Sequence, residues 1–111
     1  MSARKEHKFE RGSTNVFADV GYKNPEEALF KAELIRQINH LIKKKRLTQV
    51  QAAKLLGTQQ SKVSDLHRGL ISGFSTERLL RYLGKLNCDI EVRVHPRRPS
   101  KRGPTMSVRV V

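Results

Sequence analysis

The chain has 111 residues, with 23 Lys and Arg against 10 Asp and Glu, a formal charge of +13 at pH 7. That length allows one domain with a modest core. Only 37% of residues are hydrophobic and none is Trp, so self-association is expected to supplement the core. The charge points to a polyanion as partner, nucleic acid ahead of an anionic membrane surface. The single cysteine, Cys88, excludes an internal disulfide framework and fits a reducing compartment. Residues 1–8 lack the apolar stretch of a secretory signal, and no run approaches the ~20 apolar residues that span a bilayer. A soluble, cytoplasmic protein is expected.

Residues 1–14 are polar and mixed in charge and read as a mobile arm. A short apolar patch, Val16-Phe17-Ala18 with Val20, follows. Asn24-Pro25-Glu26-Glu27 then starts a helix: Asn24 can cap it, Pro25 needs no donor at the first position, and the glutamates suit the positive end. Leu34, Ile38 and Leu41, with Ile35 and Ile42, recur at helical spacing, and Lys43-Lys44-Lys45-Arg46 closes the helix where cations are favoured.

Thr48 with Gln51 three residues on forms a capping box for a second helix. Its expected apolar stripe is Val50, Ala53 and Leu56, and Gly57 ends it. A third helix runs from about Gln60 to Arg68, with Val63 and Leu66 inward and Gly69 as its stop. Leu70-Ile71-Ser72-Gly73-Phe74 is a connecting turn. Ser75 then caps a helix through Leu79, Leu80, Leu83 and Leu86, ending near Asn87.

From Cys88 the period changes to two. Cys88, Ile90, Val92 and Val94 face one way, and Asp89, Glu91 and Arg93 the other. This predicts a strand over residues 88–94, whose backbone groups need a partner. Pairing with the same strand of a second subunit across a two-fold axis is the favoured solution, and an internal hairpin with residues 106–111 is the rival. The remainder, 95–111, is basic and Pro-rich at first and reads as a disordered cationic tail.

Residues 47–69 carry the function. Two short helices meet at Gly57-Thr58-Gln59, with the small Ala53 where they approach, which is the spacing of a helix-turn-helix. In such a motif the second helix offers its polar face to a DNA major groove while the first lies across the backbone. With Val63 and Leu66 inward at about 100° per residue, Ser61, Ser64, Asp65 and Arg68 point outward, flanked by Gln60 and Lys62. Gln60 suits a bidentate contact to adenine, Arg68 a guanine or a phosphate, and Asp65 a cytosine amino group. Thr48 and Gln49 stand at a helix start, where free backbone N–H groups hold phosphate.

From about Asn15 to Val94 the chain resembles the Xre family of helix-turn-helix regulators, relatives of phage Cro and repressor proteins. The matching residues are Gln49, Ala53, Gly57, Val63, Ser64 and Gly69. The resemblance implies a five-helix, lambda-repressor-like all-α domain over residues 15–94, with the C-terminal strand pairing across a dimer. It implies base contacts at Gln60, Ser61 and Asp65 and a phosphate contact at Gln49. With the outward face and its flanks, the base-reading set is Gln59, Gln60, Ser61, Ser64, Asp65 and Arg68. The phosphate set is Thr48, Gln49, Thr58 and Lys62. Gln59 departs from the Ser or Thr that many relatives use to cap the recognition helix, which leaves Thr58 as a candidate for that role.

Within the family the chain is similar to HigA-type antitoxins. The stretches concerned are Asn15-Val16-Phe17-Ala18-Asp19, Ser72-Gly73-Phe74-Ser75 and Asp89-Ile90-Glu91-Val92. That narrower likeness implies a homodimer that represses its own operon from an inverted-repeat operator in double-stranded DNA, and neutralises a RelE/HigB-like toxin. Such a protein is nucleoid-associated when bound to DNA.

Plainer roles stand beside these. Asp65 can pair with Arg68 three residues on, Lys43 to Arg46 can be a solvated helix end, and Cys88 a small apolar side chain. The four histidines, His7, His40, His67 and His95, have no metal-site spacing. No phosphate-binding glycine loop or nucleophile–base pair is present, so neither catalysis nor a cofactor is expected. The alternative function is a non-specific nucleic-acid binder driven by charge.

Overall fold

The computed structural model describes residues 7–8, 25–97 and 106–110. They contain four α-helices: α1 (Pro25–Lys44), α2 (Gln49–Leu56), α3 (Gln60–His67) and α4 (Thr76–Lys85). A single 3₁₀ turn, Ile71–Gly73, lies between α3 and α4. Four of the expected five helices lie among the described residues, with the 3₁₀ turn between the last two. The turn is anchored because Ile71 and Phe74 are both buried.

The chain divides into two units. The larger, Lys31–Glu91, holds most of α1 and all of α2, α3 and α4. Its core is built from Leu34, Ile35 and Ile38 of α1, Ala52, Ala53 and Leu56 of α2, Val63 and Leu66 of α3, and Leu79, Tyr82 and Leu83 of α4, with Leu86. The other unit holds the first residues of α1 and a two-residue antiparallel ladder between His7–Lys8 and Arg109–Val110.

Local chemistry explains the helix ends. Glu26 and Glu27 occupy the first turn of α1 and Lys43 and Lys44 its last, complementing the macrodipole. Each of the four described α-helices then stops in the same way. The N–H just beyond a left-handed residue returns to a carbonyl five residues back: Leu47 to Ile42 at 3.1 Å, Thr58 to Ala53 at 2.9 Å, Leu70 to Asp65 at 3.0 Å and Cys88 to Leu83 at 3.1 Å. The left-handed residues are Arg46, Gly57, Gly69 and Asn87. These are Schellman closures, which satisfy carbonyls that a helix end leaves orphaned.

Glu33, nearly buried on α1, accepts from Arg36 Nε at 3.0 Å, Arg36 Nη2 at 2.7 Å and Gln37 Nε2 at 2.9 Å. These bonds compensate its charge and hold the Arg36 guanidinium above its ordinary pKa.

Three sequence expectations change. Val50 is 62% exposed, and Ala52 takes the buried place assigned to it. The helix faces its neighbours with two adjacent alanines, whose small side chains permit close approach. Residues 88–94 have no regular secondary structure within the chain. The internal hairpin with residues 106–111 is not formed either, since Arg109–Val110 pairs with His7–Lys8. The Asn24 cap, the Val16 to Val20 patch, most of the 1–14 arm and much of the 95–111 tail lie outside the described residues.

Candidate nucleic-acid interface

The capping box at the start of α2 is complete. Thr48 Oγ1 accepts from the Gln51 N–H at 3.1 Å, and Gln51 Oε1 accepts from the Thr48 N–H at 2.9 Å. Of the four N–H groups that a helix start leaves without intrahelical partners, this consumes two and leaves those of Gln49 and Val50. Thr48 is exposed and Gln49 half-buried, so the helix offers two amides and two polar side chains at one point. Oriented donors at the positive end of a helix suit a phosphate.

The turn into α3 uses Gly57 at φ 69°, a left-handed conformation that side chains disfavour. Gln59 then occupies the N-cap of α3 with no side-chain capping bond, as expected of a poor cap, and its side chain is exposed. Gln60 and Ser61 are exposed, Ser64 and Asp65 half-buried, and Arg68 exposed, while Val63 and Leu66 point into the core. The expected outward face is therefore continuous along α3. Asp65 and Arg68 lie 4.0 Å apart, a weak pair in solvent.

Two of the phosphate candidates differ from the rest. Thr58 is half-buried in the turn. Lys62 is drawn back onto its own domain: its Nζ donates to the Gly73 carbonyl at 3.4 Å and lies 5.3 Å from the centre of the Phe74 ring. Lys62 reaches a phosphate only by leaving both.

The sequence reading missed the groups that hold α3 in place. Asn39 Nδ2 donates to the Leu66 carbonyl at 2.7 Å, joining the middle of α1 to the end of α3. Phe74, under Lys62, meets Tyr82 edge-on at 6.2 Å between centroids, and Arg78 lies 5.8 Å from the Tyr82 ring centre. A polar residue on an apolar helix, such as Asn39, gives no periodic signal. A cleft of about 490 Å³ opens between α1, the start of α2 and α3, with Arg36, His40, Lys43, Gln49 and His67 among its lining. The whole run from Lys43 to Arg46 is exposed.

Among the described residues no group of His, Cys, Asp or Glu could hold a metal ion, and no helix is long and apolar enough to cross a membrane. Cys88 is a half-buried free thiol.

A family model described as a helix-turn-helix domain matches residues 16–95. A solved structure named as an XRE-family transcriptional regulator superposes with a TM-score of 0.72 at 36% sequence identity, covering 77% of this chain and 96% of that one. The chain belongs to the XRE-type helix-turn-helix family. A search of curated proteins gave no significant match. In this XRE-type domain α2 and α3 are the two helices of the motif.

Proposed function

We propose that the protein is a dimeric, sequence-specific DNA-binding transcriptional repressor. The observation that carries this reading is the outward face of α3, with Gln60, Ser61 and Arg68 exposed and Ser64 and Asp65 half-buried, set beside the capped start of α2. The charge of +13 and the family membership support it. In this reading α3 enters the major groove, with Gln59, Gln60, Ser61, Ser64, Asp65 and Arg68 at base edges. Thr48, Gln49 and Thr58 hold phosphates, and Lys62 keeps its place on Gly73 and Phe74.

The test is the Gln60→Ala, Ser61→Ala double variant on a selected duplex. A lost bidentate contact costs about 1–3 kcal/mol of discrimination. Unchanged sequence preference in the folded variant would overturn the assignment of α3 as the reading helix. Binding without preference, with a steep salt dependence, would favour charge-driven association with any nucleic acid.

The narrower role we propose is that of an antitoxin, which rests on the likeness to HigA-type proteins in residues 15–19, 72–75 and 89–92. Its partner is then a RelE/HigB-like toxin, a small basic protein encoded beside this one. Co-expression with the product of the neighbouring reading frame should give a stable complex and relieve growth arrest. Neither complex nor relief would remove the antitoxin role and leave the repressor reading standing. The homodimer is proposed to form through Cys88, Ile90, Val92 and Val94.

A further inference from the structure

The segment after α4 carries apolar side chains that its own chain leaves open to solvent. Ile90, Val92 and Val94 are 44%, 78% and 87% exposed, and residues 88–97 have no regular secondary structure. The alternation of these residues with Asp89, Glu91, Arg93 and His95 is that of a two-faced strand. Resting on the dimeric reading above, we infer that a second copy of the chain covers this segment, in an antiparallel pair whose two-fold axis passes through Val92.

The register follows from elimination. An axis lying between two residues sets each apolar side chain against a charged or polar one, because a one-residue slip exchanges the faces. Only axes through a residue remain. Through Ile90, Asp89 lies opposite the partner's Glu91, and the symmetry repeats that like-charge pair. An axis through Cys88 would draw Leu86 and Asn87, which close α4, into the ladder. Through His95, Arg93 lies opposite the partner's Arg97. Through Asp89 or Glu91, two carboxylates meet on the axis. Through Arg93, two arginines meet there. Through Val94, Val92 lies opposite the partner's Pro96, which has no N–H to donate to the ladder. Like charges directly opposite destabilise a sheet.

An axis through Val92 avoids all of these. Glu91 then faces the partner's Arg93, and Asp89 faces the partner's His95, each pair occurring twice. On the other face Ile90 meets the partner's Val94, and the two Val92 side chains meet on the axis. Pro96 falls opposite Cys88, at the end of the ladder, where a missing donor matters least. The same placement keeps the two native thiols apart, so the wild-type dimer forms no disulfide.

The test uses the full-length chain with Cys88→Ser and one new cysteine at a time. Opposed residues in an antiparallel pair have Cα atoms about 4.5–5.5 Å apart, within the range of about 4.4–6.8 Å that a disulfide needs. A residue one step from the axis is displaced from its symmetry mate by about two strand rises, ~6.8 Å along the strand, and cannot link. Mild oxidation should therefore link Val92→Cys into covalent dimers and leave Glu91→Cys and Arg93→Cys unlinked. Linking at either neighbour, or a dimer by mass with no link at Val92→Cys, would overturn the register. A monomer by mass across the concentration range would overturn the dimeric reading on which it rests. A charge swap supplies a second readout. Glu91→Arg should raise the dimer dissociation constant several-fold, and adding Arg93→Glu should restore it. Failure of that rescue would also count against the register.

Discussion

The side-chain amide of Asn39 donates a hydrogen bond to the carbonyl of Leu66, at 2.7 Å, across 27 positions of sequence. That carbonyl lies at the end of α3, where a helix has acceptors to spare, and it also accepts from the Gly69 N–H at 3.0 Å. The bond ties the far end of α3 to the middle of α1. Asn39→Ala is expected to cost about 1–2 kcal/mol. Urea unfolding should show a lower midpoint with an unchanged slope. An unchanged midpoint would mean that packing of Leu66 alone holds the helix.

The left-handed residues that close α1 and α2 give a pair of opposite expectations. Gly57 has φ 69°, and a Cβ placed there meets only the end of the Lys85 side chain, at 3.9 Å. The penalty of Gly57→Ala is therefore conformational, about 1–2 kcal/mol. Arg46 adopts φ 56° with a full side chain, so Arg46→Gly should relieve strain. The relief is offset by about 0.4–1 kcal/mol of extra unfolded-state freedom. A net gain of up to about 1 kcal/mol is expected in thermal unfolding, and a clear loss would show that the arginine side chain stabilises the turn by contacts of its own.

Tyr82 is buried, and its hydroxyl has no hydrogen-bond partner in the structure. A buried unsatisfied polar group costs about 1–3 kcal/mol. Tyr82→Phe keeps the edge-on contact with Phe74 and removes the hydroxyl, so stability should be unchanged or rise by about 1 kcal/mol. A fall of more than that would reveal a partner for the hydroxyl in solution.

Lys62 distinguishes a phosphate contact from an internal support. Its ammonium lies on Gly73 and Phe74. If it stays there, Lys62→Met leaves the salt dependence of DNA binding unchanged and lowers stability by about 0.5–1 kcal/mol, the size of an exposed cation–π contact. If it moves to a phosphate, the logarithmic salt slope falls by about 0.9. The resting geometry favours the unchanged slope.

Much of this arrangement was legible because short-range chemistry dictates it. Thr48 and Gln51 form their capping box wherever a helix starts between them, and Gly57 and Gly69 mark left-handed closures that few other residues tolerate. Val50 was misread because a stripe counted at helical spacing cannot tell which face of a short helix the rest of the chain will cover. The neighbouring Ala52, small and almost neutral in hydropathy, is the residue that a close helix contact selects. Arg46 gave no sign of its left-handed backbone, since arginine has no preference for that conformation and the local bond from the Leu47 N–H to the Ile42 carbonyl closes the turn all the same. The bond from Asn39 was hidden for a different reason: its acceptor is a backbone carbonyl brought near only by the completed fold. The period-two pattern at residues 88–94 forms no strand within the chain, and no partner strand for it lies among the described residues.

The central claim is that α3 reads a sequence and that two copies do so together. Selection from a random duplex DNA pool at near-physiological salt, with the mass of the bound species measured, tests it most directly. The account predicts enrichment of an inverted repeat whose half-sites lie about 34–36 Å apart, or a multiple of that, bound by a dimer. Binding with no enriched sequence, vanishing as salt rises, would contradict it.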